Sequence, residues 1–184
     1  QADPMTVYVA LLRGINLGAR NKVSMADLRT LIESLGAEDV QTYVQSGNVV
    51  FKSRVRSAAN LAGDIEQRLD RELGLEIRVV LRTDKQLAKI VADNPFAASQ
   101  QEGTRLHVTF LAEAPKASLT RALEPKAFEP DEFQVKGREV YLHTPKGYGR
   151  SKLSNAYFEK QLGVAGTTRN WNTVTKLAEL ASGK

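Results

Sequence analysis

Two short stretches near the end of the sequence are crowded with backbone-exposing glycines, cations and amide side chains: Gly147-Tyr148-Gly149-Arg150-Ser151-Lys152 and Thr168-Arg169-Asn170-Trp171-Asn172. Two glycines let a backbone approach a ligand closely. A helix starting behind Ser151, its predicted N-cap, would point free N–H groups outward, and Arg150 and Lys152 add positive charge. Those are the requirements of an anion or phosphate site. The spacing from glycine to Lys152 is not that of a Walker loop. In the second stretch Asn170 or Asn172 can cap the last helix, and Arg169 can grip a phosphate or carboxylate with a two-point fork. Two bland readings stand beside these: a solvated glycine turn, and hydrogen bonds that cross-link two halves of the chain.

A third cluster, Arg13, Asn16, Asn21 and Lys22 with Ser46 and Asn48, has the same flavour. Asparagine also suits left-handed turns, so this set reads equally as loop architecture. The only histidines, His107 and His143, lie far apart in sequence and show no metal-ligand spacing. No nucleophile elbow accompanies Ser151, His143 and Asp131. No pattern therefore names a reaction or a cofactor. Any catalysis would rest on placement and charge stabilisation rather than a protein nucleophile.

The elements that must position these residues follow from periodicity and punctuation. Val7–Leu12 is an apolar run that reads as a central strand. Ser24-Met25-Ala26-Asp27 resembles a capping box, and Met25, Leu28, Leu31, Ile32 and Leu35 follow at helical spacing up to Gly36. Residues 40–45 and 48–53 read as a hairpin around Ser46-Gly47. Leu61, Ile65, Leu69 and Leu73 mark a second helix, residues 77–82 a strand, and Thr83-x-x-Gln86 the start of a third helix. This is the ferredoxin-like order β-α-β-β-α-β with an extra helix. After a connector at 95–104 the order repeats: strand 106–111, helix 116–123, hairpin 132–143 around Gly137, helix 152–162, strand 165–168 and a last helix through Trp171, Val174 and Leu177. The predicted fold class is thus α+β: two ferredoxin-like βαββαβ units in tandem, 5–94 and 105–182, each followed by an extra helix and packed as one body.

Tyr8-Val9-Ala10-Leu11-Leu12-Arg13-Gly14-Ile15-Asn16, Thr42-Tyr43-Val44-Gln45-Ser46-Gly47-Asn48-Val49-Val50-Phe51 and Thr168-Arg169-Asn170-Trp171-Asn172-Thr173-Val174 carry a resemblance to a known family. The chain resembles the bacterial family catalogued as domain of unknown function 1697. The resemblance implies a small soluble protein of duplicated, ferredoxin-like build, and no established activity, substrate or cofactor.

Bulk composition narrows the function classes. Apolar residues make up 42% of the 184, as in a folded domain, and the net charge is +5. The surplus is local: eight basic residues lie between Lys136 and Lys176 against Glu139 and Glu159, a field that concentrates anions. The absence of cysteine excludes thiolate chemistry and fits a reducing cytoplasm. The chain shows no charged-then-apolar leader, and its longest apolar run is about six residues, too short to span a membrane. The sequence predicts a cytoplasmic protein that binds a phosphate-bearing small molecule through Gly147, Gly149, Arg150, Ser151, Lys152, Arg169, Asn170 and Asn172. Its alternatives are a nucleic-acid-binding module using the basic face 136–176, and a structural or interaction protein with no ligand.

Overall fold

A computed structural model describes residues 4–16, 20–44, 47–99 and 103–183. The chain divides into two compact units, Gln1–Ala88 with Leu177–Lys184, and Lys89–Lys176.

In the first unit β1 (Thr6–Leu12) is followed by α1 (Met25–Glu33), β2 (Glu38–Tyr43), β3 (Asn48–Ser53), α2 (Ala58–Leu73), β4 (Val79–Thr83) and the start of α3 (Asp84–Ala92). The strands form an antiparallel sheet in the order β2-β3-β1-β4, with Val9 opposite Val50 on one side and Arg82 on the other. Local chemistry sets the helix ends. Ser24 accepts the Asp27 N–H at 3.0 Å to open α1, and Ser57 accepts the Asn60 N–H at 3.1 Å to open α2. The pair Thr83/Gln86 forms the reciprocal box that opens α3. Tyr8, Ala10 and Leu12 pack with Leu28, Leu31, Ile32, Leu61, Ile65 and Leu69 in one core on the helix-covered face. Each such aliphatic burial contributes about 1.5–3 kcal/mol.

The second unit repeats the plan. β5 (Leu106–Leu111), α4 (Ala117–Arg121), β6 (Glu132–Lys136), β7 (Glu139–His143), α5 (Asn155–Leu162) and β8 (Gly166–Asn170) lead into α6 (Trp171–Ala181). The sheet order is β6-β7-β5-β8, all antiparallel, so the two sheets have the same topology. Leu111, Val140, Leu142, Phe158 and Leu162 form the helix-side core, with Phe128, Phe133, Tyr157 and Phe158 meeting edge to face.

Several element boundaries differ from the sequence reading, among them β8, which runs Gly166–Asn170 rather than 165–168 and so takes in Arg169 and Asn170. β2 runs from Glu38 rather than Val40, with a register shift between Glu38 and Gln41. β4 begins at Val79 rather than Ile77, although Ile77 is buried. α5 begins at Asn155 rather than Lys152, because Ser151 turns to another partner and Ser154 caps instead.

Candidate functional site: the long connections of the two repeats

Duplication lets each half serve as a reference for the other. The β1–α1 connection occupies residues 13–24, against 112–116 for β5–α4. The β7–α5 connection occupies residues 144–154, against 54–57 for β3–α2. The sheets match while these two links do not, and loops held by a rigid scaffold are where binding groups concentrate.

The 13–24 link is braced by its own asparagines. Asn16, at φ 54°, donates its N–H to the Asn21 carbonyl at 3.1 Å. Its side chain donates to the Val23 carbonyl at 3.0 Å and accepts the Val23 N–H at 2.9 Å. Asn21, at φ 49°, donates to the Gly14 carbonyl at 3.1 Å. Asn48 is fully buried and donates to the Tyr43 carbonyl at 2.9 Å. Gly47 is required: its φ is +86°, and a Cβ there would stand 2.7 Å from Ile15 Cδ1 and 2.9 Å from Leu12 Cβ. Arg13 and Lys22 are exposed. Ser46 lies outside the described residues. The asparagines singled out from the sequence thus act as hydrogen-bonding struts of the loop.

The 144–154 link is a chain of tight turns. Gly147 N–H donates to Thr144 O (2.9 Å), Arg150 N–H to Gly147 O (3.3 Å) and Ser151 N–H to Tyr148 O (3.0 Å). Arg105 donates from below to the Pro145 carbonyl. Tyr148 anchors the centre: its ring stacks on His107 with centroids 4.3 Å apart, and its hydroxyl accepts the Asn155 N–H at 3.1 Å. Asn155 in turn accepts from Thr168 Oγ1 at 3.0 Å and donates to the Gly166 carbonyl at 2.9 Å. The predicted capping role of Ser151 belongs to Ser154, whose hydroxyl accepts the Tyr157 N–H at 3.1 Å. Ser151 instead donates to Asp131 Oδ2 at 2.7 Å and accepts the Leu153 N–H at 3.0 Å.

Beside this link lies a cleft of about 270 Å³, bordered by residues 127–131 and by Lys146, Gly147, Arg150 and Lys152. Gly147 has φ +102° and open space where a Cβ would project, and Gly149 is equally open. The three cations are exposed, and no described carboxylate lies within ion-pairing distance of any of them.

The 168–172 turn shares the sheet end with this link, since His107 is opposite Asn170 and Leu106 is opposite His143. Its side chains go elsewhere. Arg169 stands opposite Val108, on the face away from α5, and is only 8% exposed. It donates to Thr167 Oγ1 at 2.6 Å and to the Thr168 carbonyl at 3.0 Å, and burial lowers its pKa to about 10. Asn170 caps α6 by accepting the Thr173 N–H at 2.9 Å. Asn172 is exposed beside Gly103. Of the predicted ligand residues, Gly147, Arg150 and Lys152 border the cleft. Gly149, Ser151, Arg169, Asn170 and Asn172 do not.

Several residues escaped the sequence reading. Lys146 and Glu129 border the cleft, as does Asp131, weighed from the sequence only beside Ser151 and His143 as a triad, and only the fold brings 129–131 beside 146–152. Arg82 is 1% exposed and stands opposite Val9, three residues after Val79, as Arg169 stands three after Gly166. Aligning Leu81-Arg82-Thr83 with Thr168-Arg169-Asn170 would have found it, because each arginine precedes a capping residue. His107 and His143 point to opposite faces of the second sheet, the latter 3.0 Å from Glu132, which separates them as joint ligands.

Among the described residues no helix is long and apolar enough to cross a membrane. None of the curated proteins matches the chain. Among solved structures it is similar to the conserved bacterial protein SP0830 from Streptococcus pneumoniae. That likeness has a TM-score of 0.75 at 26% identity, over 97% of this chain and 99% of that one. Residues 5–141 match the family described as "Protein of unknown function (DUF1697)". With most of its length inside that match and with the tandem α+β halves just described, the chain belongs to the DUF1697 family.

Proposed function

We propose that the protein binds a small anionic, phosphate-bearing ligand in the cleft beside the 144–154 link. The observation that carries this reading is the convergence of Lys146, Arg150 and Lys152 on one cleft with no carboxylate paired to any of them. Unpaired cations in a concavity focus potential and raise the local concentration of anions. Arg150 would supply a two-point fork and the lysines point charges. Gly147 would let the ligand reach the backbone.

Thermal unfolding in inorganic phosphate, against chloride at matched ionic strength, tests it. Phosphate at a hundredfold over its dissociation constant is expected to add about 2.7 kcal/mol. The gain is expected to vanish in Arg150→Ala with Lys152→Ala. No phosphate-specific shift, or an undiminished one in the double variant, would remove the reading.

A further inference from the structure

The cleft that holds the three cations also holds acids. Glu129 and Asp131 border it, and neither forms an ion pair with Lys146, Arg150 or Lys152. Residues of both signs thus border one concavity without an ion pair between them among the described residues. Asp131 is held in place: Ser151 Oγ donates to its Oδ2 at 2.7 Å, while the same hydroxyl accepts the Leu153 N–H at 3.0 Å. That second bond directs the hydroxyl proton at the carboxylate. It leaves the other oxygen of Asp131 with no donor among the described residues. A ligand carrying only negative charge would gain from the three cations and leave the two acids without a counter-charge.

We propose, building on the anion reading above, that the ligand is a small zwitterion, a phosphomonoester that also carries an ammonium group. The phosphate end meets Lys146, Arg150 and Lys152, and the ammonium end meets Glu129 and Asp131. The charges agree in sum. A phosphomonoester holds about −1.5 to −2 near neutral pH, and an ammonium group brings the ligand near −1, against three cations and two carboxylates on the protein. The size agrees too. A volume of about 270 Å³, at the small end of ligand sites, suits a phosphoester of a few carbons.

Calorimetric titration of the full chain with phosphoethanolamine, and with ethyl phosphate as its amine-free counterpart, tests this. The amine is expected to tighten binding at least tenfold. Glu129→Gln is expected to bring the ratio of the two affinities toward one while ethyl phosphate binds as well or better. Asp131→Asn is expected to do the same, and thermal unfolding of both variants checks that the fold persists. Equal affinity for the two probes in the unaltered protein overturns the zwitterion while leaving the anion site standing. A tenfold preference that survives both substitutions overturns it as well, because the acids would not be reading the amine. Binding of neither probe overturns the anion site itself and the zwitterion with it.

Discussion

His107 is buried against the Tyr148 ring, and its Nδ1 has no hydrogen-bond partner among the described residues. Burial lowers its pKa from 6.5 to about 4. Between those values the unfolded chain binds a proton that the folded chain refuses, so stability rises with pH there. The contribution is fully present above about pH 6.5 and is lost as pH falls toward 4, on the order of 3 kcal/mol in all. Urea unfolding from pH 4 to 7 is expected to show this slope, and His107→Phe, which keeps a ring against Tyr148, is expected to flatten it. An unchanged slope in the variant would assign the acid sensitivity to other groups. Residue roles were legible in the sequence only where bonds are short-range. Ser24 with Asp27 and Thr83 with Gln86 span three residues, and both bonds form. Arg169 also looked like a polar turn residue. Its face is set by pairing with Val108, sixty-one residues away, and alternation along β8 turns it from the cleft.

At the scale of elements, caps decide where the second unit's helices begin. Asn170 and Ser154 each satisfy one otherwise orphaned N–H. Asn170→Ala and Ser154→Ala are each expected to lower stability by about 0.5–2 kcal/mol, while Ser151→Ala leaves α5 capped. Denaturation midpoints for the three variants check the assignment. A loss of helical circular-dichroism signal in Ser151→Ala equal to that in Ser154→Ala would contradict it. Strand and helix identities were readable because the central strands are short, nearly unbroken apolar runs and the helices keep a helical apolar spacing. The start of α5 was not. Ser151 and Ser154 are equally good caps by type, and the choice depends on Asp131, supplied by a different hairpin. β2 was misplaced at its start because Asp39 adopts φ 53°, which breaks the alternation that marks a strand.

For the molecule as a whole, the repeated order of elements was readable although the two halves share few residues, since topology follows from order and length rather than identity. The charge distribution was less so. Of the basic residues between 136 and 176, Lys136 donates to the Asp93 carbonyl at 2.9 Å and Arg169 is buried. Three of the eight, Lys146, Arg150 and Lys152, border the cleft at the 144–154 link. The division of the chain has its own test. Leu177 and Ala181 are buried and belong with the first unit. Ending the chain after Ala181 is expected to change little. Ending it after Lys176 is expected to cost about 2–5 kcal/mol, as for deleting a large buried side chain, and urea midpoints will show which holds.

Arg82 and Arg169 sit at one and the same rung of two sheets with identical wiring. One protein thus carries twin probes. The same replacement made at either rung is measured in the same solvent, at the same chain length and opposite a valine in both sheets. Any disparity between the two then reports what the halves have come to do differently since they were alike.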